Sequence, residues 1–157
     1  MTPEDPKGVL GPDLDFLREL WALDNALQKL SRRMQRTLGV SGPERLALSL
    51  IDRHPGLPPG RLARLLHLHP STVSGLVKRL ADRGWIVRNW DGPDRRRSEL
   101  RITPDGLDLL GRPTPNIESA VARALQGLSS QRIGIALRVL ATLAMGLEVP
   151  DSGPLWP

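Results

Sequence analysis

Between residues 13 and 38, Phe16, Leu20, Leu23, Leu27, Leu30 and Met34 recur at alternating steps of four and three, the spacing of a helix with one continuous apolar seam. Leu17 and Trp21 widen that seam. A helix of this length runs on the order of 35 to 40 Å, more than a small domain needs for its own core, and its broad apolar face calls for a partner helix. Ser41-Gly42-Pro43-Glu44 breaks the pattern and starts a second helix, capped by Ser41 or Gly42 and ending near His54-Pro55-Gly56. Pro58 and Pro59 open a short third helix carrying Leu62, Leu65 and Leu66; Pro70 opens a fourth that stops at Gly84.

Residues 85–90 and 98–103 then concentrate apolar and β-branched side chains around Asp91-Gly92-Pro93-Asp94, which predicts a two-stranded hairpin. Thr103-Pro104-Asp105-Gly106 caps a further helix, and Pro113 and Pro115 interrupt it. A helical stripe resumes with Ile117, Val121, Ala124 and Leu128. Ser129 or Ser130 caps a last helix, with Ile133, Leu137, Leu140, Ala144 and Leu147 on one side. The predicted fold is mainly α with a small β-hairpin wing, a winged helix-turn-helix between long N- and C-terminal dimerisation helices. Its expected organisation is an N-terminal dimerisation helix (13–38), a winged helix-turn-helix lobe (42–103), C-terminal helices completing the dimer region (104–149), and flexible tails at 1–12 and 150–157.

Composition narrows the function. The 157 residues with 39% hydrophobic content suffice for one core. Cysteine is absent, which excludes disulfides, thiolate metal sites and thiol-based switching. The first twelve residues lack the pattern of a secretory signal, and the most apolar helical stretch, 137–147, contains Arg138 and is too short to cross a bilayer. A cytoplasmic protein without membrane contact is expected. Net charge is +5, but residues 61–101 carry ten basic and four acidic side chains, a surplus of +6, while the rest of the chain is at −1. Positive charge confined to one segment is the footprint of a phosphate-backbone binder.

That segment holds the fourth helix, whose Val73, Leu76, Val77 and Leu80 fall on a core-facing side. Opposite them stand Ser71, Thr72, Ser74, Gly75, Lys78, Arg79 and Asp82: small residues first, cations one turn later. Such a face suits a DNA groove, since hydroxyls reach base edges and phosphates, the helix N-terminus favours anions, and the cations reach outward. Taken alone it is equally an ordinary solvated face. The hairpin tip changes the balance, because Asp94, Arg95, Arg96 and Arg97 place three adjacent guanidinium groups where they add nothing to a core and suit the negative potential of a narrow minor groove.

From about residue 13 to 147 the chain resembles the MarR (multiple antibiotic resistance) family of regulators. The residues that carry the likeness are Leu62-Ala63-Arg64-Leu65-Leu66, Pro70-Ser71-Thr72-Val73, Leu76-Val77-Lys78-Arg79-Leu80, Arg83-Gly84-Trp85-Ile86-Val87-Arg88, Asp91-Gly92-Pro93-Asp94-Arg95-Arg96 and Leu100-Arg101-Ile102-Thr103-Pro104-Asp105-Gly106. The resemblance implies a homodimer joined by its terminal helices, the Pro70 helix in the major groove of double-stranded DNA, and Arg96 in the minor groove with Asp94 supporting it. It further implies a repressor released by a small-molecule effector. His67 stands where such sequences commonly place Gly, His69 takes a capping position that Ser or Asp fills better, and Pro113 and Pro115 lie in what is often a continuous helix. The alternative function is a winged-helix protein-interaction module that never touches DNA.

Trp21 and Trp85 read first as core residues. The sharper reading sets Trp21 and His54 on the wall of an effector cavity between dimer region and DNA-binding lobe. His67 and His69 have no carboxylate in their turn, so no metal is expected. Asp13, Asp15, Asp105 and Asp108 lie at helix starts, as do Ser71, Ser74, Ser129 and Ser130, and no glycine-rich phosphate loop occurs. No acid, base and nucleophile converge, so neither enzyme activity nor a cofactor is expected.

Overall fold

The computed structural model describes residues 11–89 and 98–147. Its elements run α1 (Pro12–Leu38), α2 (Gly42–Arg53), α3 (Pro59–Leu66), α4 (Pro70–Asp82), β1 (Ile86–Asn89), β2 (Glu99–Ile102), α5 (Pro104–Gly111), α6 (Ile117–Leu125) and α7 (Ser130–Leu147). The described residues fall into two compact bodies, divided between Ile117 and Glu118.

In the first body, proline at the start of each of the five helices presets the entry dihedral where no backbone donor is needed. α3 closes in a Schellman arrangement: Leu68 N–H donates to Ala63 O (3.1 Å) and His67 N–H to Arg64 O (3.3 Å). His67 sits there at φ 51°, ψ 42°, the left-handed conformation usually reserved for glycine. α4 ends the same way at Gly84, with Trp85 N–H donating to Leu80 O. The interval between α3 and α4 is therefore a tight turn, as a helix-turn-helix requires.

β1 and β2 pair antiparallel, Ile86 opposite Ile102 and Asn89 opposite Glu99. On its other edge β2 meets the chain leaving α2, where Gly56 N–H donates to Leu100 O and Leu100 N–H to Leu57 O, both at 3.0 Å. Thr103 then caps α5 by accepting from Gly106 N–H (3.2 Å) while its hydroxyl donates to Gly84 O (2.6 Å). Any side chain at Gly106 would run into the Trp85 carbonyl, so the helix start can lie against the strand only with glycine there. The core under these elements joins Met34, Val40, Leu48, Ile51, Leu62, Val73, Val77, Leu80, Ile86, Leu100 and Leu109.

α1 spends its seam unevenly. Leu30, Met34 and Leu38 pack on this core, whereas Phe16, Leu17, Trp21 and Leu23 stay more than two-fifths exposed. Trp21, at 61%, is not a core residue within the chain; the first half of the helix projects beyond the lobe that anchors its second half. Trp85 is partly buried against the core, as expected.

The proline-rich stretch ends α5 at Gly111 with Arg112 in an extended conformation. In the second body, Ser129 caps α7 by accepting from Arg132 N–H (3.4 Å). No residue of α6 or α7 is buried. Leu137, Leu140, Met145 and Leu147 are 45% exposed or more. Among the described residues no helix is long and apolar enough to cross a membrane.

Candidate nucleic-acid interface

α4 buries Val73, Leu76, Val77 and Leu80 almost completely. At its start Ser71, Thr72 and Ser74 are exposed, Gly75 half-buried, and Lys78 exposed one turn on. The helix is thus anchored along one side and presents a short, polar leading end with no bulky side chain before Lys78. His69 caps it: Nδ1 accepts from Ser71 N–H (3.2 Å) and lies 2.7 Å from Ser71 Oγ. The imidazole thereby does the work usually left to Ser or Asp.

The cations of α4 are not equivalent. Lys78 Nζ lies 2.6 Å from Asp82 Oδ2, an exposed pair one helical turn apart, and such pairs are worth little in water. Lys78 can exchange that partner for a phosphate. Arg79, also exposed, pairs with another element: its Nε donates to Glu44 Oε1 at 2.9 Å. Arg83 donates to Gly39 O and lies over the Trp85 ring, 5.0 Å from its centroid. Both cations expected to reach outward are exposed: Lys78 pairs along its own helix, whereas Arg79, its side chain 57% exposed, pairs with Glu44 at the start of α2. On α3, Arg61 and Arg64 are exposed. Asp94, Arg95, Arg96 and Arg97 lie outside the described residues. Trp21 and His54 are both exposed, so neither lines an enclosed cavity within one chain.

Two buried charges went unnoticed in the sequence. Glu44 closes a capping box with Ser41, accepting from Ser41 N–H and Oγ–H, each at 2.9 Å. Burial alone pushes its pKa up, but the Ser41 backbone N–H, the Arg79 guanidinium and the Ser41 hydroxyl outweigh that penalty and leave it below the ordinary value. The Ser-x-x-Glu spacing was the signal. Arg45, 5% exposed, donates to Leu109 O (3.1 Å) and Leu110 O (2.8 Å), carbonyls in the last turn of α5. Its only sequence signal is helical spacing from buried Leu48.

Residues 38–97 match the MarR family. The chain is 34% identical over 106 residues to a putative transcriptional regulatory protein for the hcr operon of Thauera aromatica, covering 68% of this chain and 61% of that relative. It is 24% identical over 137 residues to the HTH-type transcriptional repressor MdtR of Bacillus subtilis, covering 87% and 88% of the two chains. A crystal structure of a MarR-family transcriptional regulator from Silicibacter pomeroyi superposes with a TM-score of 0.63 at 25% identity, over 90% of this chain and 94% of that one. The family and these relatives are regulators of transcription, not enzymes. With its short α3, tight left-handed turn, anchored α4 and following hairpin, the chain belongs to the MarR family of winged-helix transcriptional regulators.

Proposed function

We propose that two copies of this chain bind duplex DNA in the cytoplasm as a transcriptional repressor. Residues 42–103 form the DNA-binding lobe, residues 13–38 and 104–149 the dimer region, and residues 1–12 and 150–157 the tails. Ser71, Thr72, Ser74, Gly75 and Lys78 meet the major groove, with paired α4 helices entering successive grooves roughly 34 to 36 Å apart. Asp94, Arg95, Arg96 and Arg97, between β1 and β2 in the sequence, supply the minor-groove contact, with Arg96 inserted. Arg79, exposed and paired with Glu44, flanks this face beside Gly75. A releasing effector would bind beside Trp21 and His54, with the second copy closing the wall around them.

The observation that carries the reading is the leading end of α4: small hydroxyl residues on a helix start that is capped, exposed and held rigidly from behind. Dimerisation rests on the large apolar side chains that α1 and α7 each leave exposed in the single chain, the kind of surface a partner covers. A purely protein-binding module is disfavoured, since relatives matching this chain are named as transcriptional regulators and repressors.

Fluorescence anisotropy with a pool of random-sequence 30-base-pair duplexes tests the proposal. Wild-type protein should bind at low salt and Arg96→Ala should bind more weakly. Failure of the wild type to bind, or an Arg96→Ala variant with unchanged affinity, would refute it.

A further inference from the structure

We propose that Glu44 is a positioning residue: through Arg79 it locks recognition helix α4 to the end of α1, and so fixes the separation of the two recognition helices in the dimer. The inference rests on the dimer reading above. Apolar burial holds α4 to the core without strong directional preference, because hydrophobic attraction depends on area and not on angle. Hydrogen bonds supply direction. Among the described residues, the side-chain hydrogen bonds from the end of α4 to other elements converge on one place, the joint between α1 and α2 and the first turn of α2.

Arg79 and Arg83 are one turn apart, hence on the same side of α4. Arg79 reaches Glu44 at the start of α2, and Arg83 reaches the carbonyl of Gly39, which caps α1. The joint is itself tied to α1, since Gly42 N–H donates to Ser31 Oγ at 2.8 Å. Val40 within it and Met34 in the last turns of α1 are fully buried. Glu44 stands at the centre of this cluster: its side chain is 6% exposed and accepts from Ser41 N–H, Ser41 Oγ–H and Arg79 Nε–H, all at 2.9 Å. A carboxylate so enclosed cannot meet DNA. It connects the helix that pairs the subunits to the helix that reads the groove, and any slack there is multiplied along the projecting half of α1.

The chain has no cysteine, so Ser74→Cys creates a single site for a spin label on α4. Pulsed electron-electron resonance on the labelled dimer, without DNA, then reports the distance between recognition helices. The wild-type background should give one narrow distribution near roughly 35 Å. Glu44→Ala and Arg79→Ala should each broaden it about twofold, and the double variant should be no broader than either single one. Arg79→Ala leaves the capping box in place, so it reports on the lock even where Glu44→Ala folds poorly. Leu109→Ala, which loosens the core without touching the lock, should keep the narrow distribution. An unchanged distribution in Arg79→Ala, or equal broadening in Leu109→Ala, overturns the proposal alone. Absence of any dipolar signal in the wild-type background refutes the dimer reading, and the proposal with it.

Discussion

Replacing Arg45 with Met isolates the contribution of one buried cation to the joining of α2 and α5. Methionine keeps most of the apolar stem and deletes the guanidinium, which donates to Leu109 O at 3.1 Å and Leu110 O at 2.8 Å. Hydrogen bonds from a charged donor are worth about 1.5 to 3 kcal/mol each. Taking the charge out of the interior returns some desolvation energy, and where both partners of a buried pair are replaced by apolar groups the exchange is often neutral. Here the acceptors are backbone carbonyls that no substitution at Arg45 removes, so the loss dominates. The expected cost is about 3 to 5 kcal/mol, against a total stability on the order of 5 to 15. At about 2 to 4 °C per kcal/mol for a chain of this size, the midpoint should fall by roughly 6 to 20 °C. Thermal unfolding followed by circular dichroism, at one fixed protein concentration because the dimer couples stability to concentration, measures this. A loss below about 1 kcal/mol, typical of a surface site, would refute the assignment of Arg45 to the α5 carboxyl end.

Further outcomes are expected. His67→Gly should raise stability by about 0.5 to 1 kcal/mol, since relief of the left-handed strain exceeds the extra freedom glycine gives the unfolded chain; a lower melting point would contradict the turn geometry. Glu44 has a folded pKa below its ordinary value of 4.5, so its stabilising contribution is complete above that pH and is lost as pH falls through the lower folded value. Urea unfolding between pH 3 and 6 should therefore show a steeper acid loss in wild type than in Glu44→Gln, and parallel curves would exclude the linkage. Ser71→Ala with Thr72→Ala should reduce discrimination between a selected duplex and random DNA by about tenfold, measured by competition binding; unchanged discrimination would remove these hydroxyls from base readout.

Helix identity was legible in the sequence because the apolar spacing is strict and nearly every helix start is marked. The seam of α1, the buried row of α4 and the break at Pro113 and Pro115 all come from local rules. What the sequence concealed is non-local. That Arg79 pairs with Glu44 depends on residues 35 positions apart, and no helical pattern distinguishes a cation left to solvent from one paired with an earlier helix. Arg45 shares the difficulty, since its partners are carbonyls 64 and 65 positions away with no side-chain signature. Trp21 misled in another way: an apolar residue on an apolar seam signals burial, and among the described residues nothing covers it.

The salt dependence of duplex binding tests the central claim most directly, because a repressor held mainly by phosphate contacts releases counterions as it binds. Anisotropy titrations of wild type and Lys78→Ala between 50 and 300 mM potassium chloride, roughly the range over which counterion release is measured, should give a steep negative slope of log affinity on log salt. The slope should be shallower by about 1 per subunit in the variant. A flat wild-type slope, or affinity that rises with salt, would contradict DNA binding through this face.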